Sequence, residues 1–226
     1  MIEDIKRYKL TYTIIILNSI VYLFSSFFSH DFIDMDMETL VNMGAMFGPY
    51  VIQESQWWRL GSAMFLHGGI THLLMNMFSL YIIGRGAEMY FSKNAYISIY
   101  FFAGLIGGLV SLFVHPNSVG VGASGAIFGM FGALAGFFLA HRDTMATQAK
   151  AFMKDFGMII GINLVIGLSI PSVDVSAHLG GLVVGVLGGF VLSKNLKWIY
   201  IYAVAMMLLA LMMGEYLSSE YISALV

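Results

Sequence analysis

Val121-Gly122-Ala123-Ser124-Gly125-Ala126 opens an apolar segment, and Ala177-His178-Leu179-Gly180-Gly181 opens another. Each segment continues at helix-spanning length, about 20 residues. A hydroxyl and an imidazole are costly in lipid unless they bond or work. The two stretches therefore decide both the fold and the place to look for chemistry. Around them the 226 residues are 59% hydrophobic and 11% charged, against about 25% charge in a soluble domain. The fold class expected is an all-α polytopic membrane protein.

Spans are expected near 10–28, 70–90, 96–114, 123–140, 154–171, 176–193 and 198–216, with a long outer loop over 29–69. The segment 70–90 carries His72, Asn76, Arg85 and Glu88 and is the least apolar of the seven. The N-terminal apolar run has no small-residue cleavage site behind it and reads as a retained span. Ten of the eleven basic residues fall on one side of this topology, all but Arg59. The positive-inside rule makes that side cytoplasmic, with the N-terminus inside and the C-terminus outside. Pro49, Pro116 and Pro171 fall in or beside outer connections, where a missing backbone donor is tolerated. Spans two, four and six then run from outside to inside. His72, Asn76, Ser124 and His178 all fall at the outer ends of their helices, at similar depth.

Gly181 and Gly185 belong to a row of small residues in span six, and Gly125 opens a matching row in span four. Such rows let helix backbones approach closely in lipid. If the rows meet, Ser124 and His178 come within hydrogen-bond range. A serine hydroxyl needs a base to take its proton, and a neutral imidazole is suited to that near neutral pH. His72 and Asn76 are four apart and share a helix face. With the Ser124 backbone N–H they can donate to an oxyanion. His67 is expected to tie down the outer loop. Asp174 is expected in a water-facing loop as a solvated charge. The loop residues Trp57 and Trp58 suit the membrane interface.

Composition also excludes. The chain has no cysteine, and its six histidines include no His-Glu-x-x-His motif, so no metal and no cofactor is expected. A net charge of -2 argues against nucleic acid as a partner; membrane lipid surrounds the chain.

The pattern resembles the rhomboid family of intramembrane serine proteases. The resemblance is carried by Trp58-Arg59, by His67-Gly68-Gly69-Ile70-Thr71-His72-Leu73-Leu74-Met75-Asn76, by Gly122-Ala123-Ser124-Gly125 and by Ala177-His178-Leu179-Gly180-Gly181 through Gly185, with Glu88 as the family's glutamate at the cytoplasmic end of span two. It implies a six-helix rhomboid-like catalytic bundle over 1–197, with an added transmembrane helix and tail over 198–226. It further implies Ser124 as nucleophile, His178 as base, and an oxyanion hole of His72, Asn76 and Ser124. Gly122 would sit on the serine-bearing loop, and Trp58-Arg59 in a half-immersed hairpin. Phe128 stands where many members carry a tyrosine packed against the base. The implied substrates are single-span membrane proteins, entering laterally from lipid and cut near their outer ends. The implied home is a bacterial inner membrane. Two alternatives stay open: a catalytically inactive rhomboid-like protein that binds membrane helices, and a small-molecule transporter.

Overall fold

The structure, a computed structural model, describes residues 2–170 and 172–223; Pro171 and the tail beyond 223 lie outside the described residues. It is a helical bundle. A short helix α1 (Ile2–Arg7) leads into α2 (Lys9–Ser29). The outer loop follows and carries α3 (Met37–Asn42), a π-helical turn at Pro49–Gln53, α4 (Arg59–Ser62) and a 3₁₀ turn at Ala63–Phe65. Six helices complete the described chain: α5 (Ile70–Tyr90), α6 (Lys93–Val114), α7 (Ser124–Ala140), α8 (Ala146–Ser169), α9 (Val175–Lys194) and α10 (Ile199–Ser223).

By length and apolarity, α2, α6, α8, α9 and the segment Leu196–Glu220 can each cross a membrane. The 21-residue α5 is long enough, and its polar residues keep it from that group. The 17-residue α7 is apolar but short. At 1.5 Å per residue it spans about 25 Å, less than a hydrocarbon core of about 30 Å. Ser124, its first residue, therefore has room to sit below the lipid surface. Large apolar side chains such as Phe27, Leu168 and Tyr200 point outward, the pattern of helices solvated by lipid instead of water.

The centre of the bundle is α7 against α9, flanked by α6. The reason is steric. A Cβ at Gly181 would collide with the Gly125 carbonyl, one at Gly185 with the Gly129 carbonyl, and one at Gly189 with the Ala133 carbonyl. In the other direction, Gly132 and Gly136 face the Leu182 and Val186 carbonyls. The two backbones touch along about three turns because the contact is made almost wholly of glycines. Dispersion between closely packed atoms is what holds helices together where lipid is as apolar as the protein.

The helix ends remote from the loop over 29–69 are fixed by polar contacts. Nothing in its own first turn caps α2; Glu88 on α5 does so from across the bundle. Its carboxylate accepts from the Leu10 N–H at 2.9 Å, the Thr11 N–H at 3.0 Å and the Thr11 hydroxyl at 2.8 Å. The orphan amides of a helix start and an anion are mutually stabilising. Nearby, Arg85 pairs with Asp4 at 2.9 Å, a partly exposed pair.

The outer loop is an ordered unit with its own core of Met35, Leu40, Ala45 and Leu66 against Tyr22, Leu73 and Met77. Asp36 caps α3 by accepting the Thr39 N–H at 2.8 Å. Arg59, the outer cation, is buried; its Nη1 donates to the carbonyls of Val41 and Ala45. Trp58 beside it is exposed, stacked over the guanidinium. His67 is fully buried with its ring edge-on to His72 at 5.0 Å, and burial pushes its imidazole down to about 3, which keeps it neutral. The loop is tied down by backbone instead of by that side chain. The Met35 N–H donates to the Gly68 carbonyl and the Ile70 N–H to the Ile33 carbonyl.

Candidate active site

Ser124 is the first residue of α7 and His178 lies in the first turn of α9. The glycine contact between the two helices fixes their relative depth and rotation. The result is a distance of 2.8 Å between His178 Nε2 and Ser124 Oγ. Hydroxyl and imidazole are within one hydrogen bond across 54 residues of sequence. Phe128, one turn after Ser124, stacks on the His178 ring at 4.2 Å with an interplanar angle of 5°. A flat hydrocarbon face thus sets the plane of the imidazole.

The third and fourth residues arrive from α5. Gly122 has φ +119°, a left-handed backbone that side-chain-bearing residues rarely adopt. A Cβ there would meet His72 Cε1 and Nε2 at 2.7 Å and Asn76 Nδ2 at 3.6 Å. His72 and Asn76 therefore converge on the loop two residues before Ser124. As the first helical residue, Ser124 leaves its own N–H without an intrahelical acceptor. Three donors thus gather around one loop: an imidazole, an amide and a main-chain N–H.

That loop is clamped by the outer unit. The Gly122 N–H donates to the Ala63 carbonyl at 2.9 Å, and Met46 and Gly120 exchange two backbone bonds at 3.0 and 2.8 Å. The Gly48 N–H donates to the Pro116 carbonyl at 3.0 Å. A cavity of about 530 Å³ opens between the outer loop, α6 and the start of α9, with Ser124, His72 and Gly122 in its wall. Its size suits a short run of peptide side chains.

Of the site residues singled out from sequence, His72, Gly122, Ser124 and Gly125 line this cavity, His178 meets it through its bond to Ser124, and Glu88 works at the far end of α5. Gly125 and Gly181 face each other directly under the dyad, and Gly185 continues the contact one turn deeper. Trp58 and Arg59 contribute through the outer loop. One residue departs from its expected place. Asp174 is half-buried, caps α9 by accepting the Ala177 N–H at 2.9 Å, and lines the cavity. Ser176 also donates to it, and Ser111 on α6 lies close to it in the cavity wall. Burial alone would raise its carboxyl; these donors and the nearby His178 outweigh burial and hold it below the ordinary 3.8. The spacing of an aspartate three residues before Ala177, at a helix start, was the available signal.

Comparison with known proteins bears on what this arrangement is. The model of the Rhomboid domain matches residues 54–195. RHOMBOID-like protein 6, mitochondrial, of Arabidopsis thaliana is 40% identical over 161 residues, covering 71% of this chain and 52% of that protein. Rhomboid protease GluP of Bacillus subtilis is 38% identical over 157 residues, 68% of this chain and 28% of that protein. The putative rhomboid protease YdcA, also of B. subtilis, is 31% identical over 191 residues, 84% and 89% of the two chains. The chain belongs to the rhomboid family. That family includes proteases, GluP among them. The rhomboid match contains every residue of the site, from the loop helix at Arg59 to α9, and leaves α10 outside. The chain spans about half the length of the plant relatives it matches.

Proposed function

We propose that this protein is an intramembrane serine endopeptidase that cuts transmembrane segments near their outer ends. The observation that carries the reading is the 2.8 Å contact between Ser124 Oγ and His178 Nε2, with Ser124 in the wall of a cavity of about 530 Å³. In the reaction the Ser124 oxygen attacks the scissile carbonyl carbon while His178 Nε2 takes the hydroxyl proton. The carbonyl π electrons move to oxygen, which becomes an oxyanion facing His72, Asn76 and the Ser124 N–H. Collapse breaks the C–N bond, and His178 returns the proton to the leaving amine. Water then attacks the acyl-enzyme, with His178 again accepting and delivering one proton.

The substrates proposed are single-span membrane proteins that reach the cavity laterally from lipid. A helical peptide bond is shielded by its own turns, so the segment must be locally extended to meet Ser124. The membrane proposed is a bacterial inner membrane, with the cavity facing outward and the basic connections inside. No metal or cofactor enters any step. The rhomboid-like bundle over 1–197 is proposed as the catalytic unit and α10 as an accessory helix.

The test is covalent labelling. A serine-directed phosphonate should modify Ser124 in the native protein and fail to modify the His178→Ala variant. Binding of membrane helices with no labelling and no cleavage would favour the non-proteolytic alternative.

A further inference from the structure

The cavity beside Ser124 is lined largely by apolar and small residues, including Met46, Leu60, Met64 and Gly108. Among the described residues that line it, Asp174 alone carries a formal charge with histidine neutral. It reaches the wall opposite the outer loop, next to Ser111 and Ala177. Among the described residues the Lys and Arg ion pairs are Arg85–Asp4 and Arg142–Asp143, so no Lys or Arg pairs with Asp174, and the basic group acting on it is the His178 imidazole.

Capping accounts for only part of this residue. An N-cap needs one acceptor, and asparagine or serine serves as well as aspartate. Both the Ser176 hydroxyl and the Ala177 N–H bond Oδ1. A carboxylate offers about four lone-pair sites on two oxygens, so acceptor capacity is left beyond the Ser176 and Ala177 donors. A negative charge kept half-buried at the edge of lipid without a Lys or Arg partner is costly. The cost falls when a cation enters the cavity.

We propose that Asp174 is a specificity residue: it selects substrates with an arginine or lysine side chain close to the scissile bond, drawn into the cavity beside Ser124. Such selection has discriminating value because basic residues are comparatively scarce at the outer ends of membrane spans. The outer loop adds Asp31, Asp34, Asp36 and Glu38, which attract a cationic flank over roughly a Debye length, about 10 Å.

The inference rests on the proteolytic reading, and one experiment separates the two. A single-span substrate is prepared with arginine, lysine, methionine, glutamine or glutamate at each position flanking the cleavage site. Cleavage is measured in proteoliposomes with the native, Ser124→Ala and Asp174→Asn proteins. At one flanking position the native protein should prefer arginine over methionine about tenfold in kcat/KM, the scale of one charge-assisted hydrogen bond. In Asp174→Asn, which keeps the cap acceptor, the ratio should fall to about one. The ratio is taken within one preparation, so partial misfolding cancels from it. Ser124-dependent cleavage with no charge preference, or a preference unchanged in Asp174→Asn, would overturn the inference. No Ser124-dependent cleavage of any substrate would overturn the proteolytic reading and this inference with it.

Discussion

At the scale of single residues, the site depends on a few atoms that no neighbour can replace. Asn76 Nδ2 faces the backbone before Ser124, and Asn76→Ala should lower kcat about 100-fold or more while changing thermal stability little; kinetics on a cleaved substrate beside a melting curve checks both halves. Gly122 has a left-handed backbone and no room for a methyl group. Gly122→Ala should displace His72 and lower cleavage even where the protein still inserts and folds. Asp174 gives a pH prediction with a definite sign. Its carboxyl is held below 3.8 in the folded protein, so its contribution to stability is complete above about pH 4 and is lost as pH falls through the folded value. Acid unfolding of Asp174→Asn, followed by helix content, should lack that part of the loss. The approach of Ser124 to His178 was legible in sequence, because serine and histidine at matched helix ends are conspicuous among apolar residues. Asp174 was misplaced because loop and helix start look alike when only composition is read, and burial of a carboxylate depends on neighbours from α6.

At the scale of elements, two glycine-faced helices position the chemistry. Gly185 sits against the Gly129 backbone with no space for a Cβ. Gly185→Val should separate α7 from α9, cost at least about 1–3 kcal/mol by overpacking and lower activity in parallel; denaturant titration with a cleavage assay checks the pairing. By contrast Gly157 and Gly161 on α8 have nothing near, and the same change there should be tolerated. The rows of small residues announced this contact in advance. What they could not announce was the capping of α2 by Glu88, which depends on a partner 77 or more residues away. Glu88→Ala removes charge-assisted bonds of about 1.5–3 kcal/mol each at most, and should destabilise the bundle without touching the dyad. The outer loop was legible only as apolar and long. Its small helices and backbone bridges to residues 116–122 arise from tertiary contacts, which periodicity does not encode.

At the scale of the whole molecule, positive charge on one side and a cavity on the other set the expected orientation. The chain has no cysteine, so single cysteines can report it. Cysteines placed at Asp36 or Ser172 should react with an impermeant thiol reagent from outside, and those at Lys93 or Lys150 only after the membrane is opened. The order of the long helices followed the apolar segments, and some of their ends lie several residues from where the apolar segments stop. Thus α8 begins at Ala146 and α10 runs to Ser223. Of the methionines on α10, Met206 is buried against the bundle and Met212 faces outward, a division that an almost uniformly apolar sequence cannot show. The most direct test of the central claim uses the whole protein in a bilayer. Purified native and Ser124→Ala proteins are reconstituted with a panel of single-span proteins, and the products are sequenced. The account predicts at least one substrate cut near its outer end by the native protein, with the rate falling at least about 1,000-fold in Ser124→Ala. Equal cleavage by both proteins would contradict it.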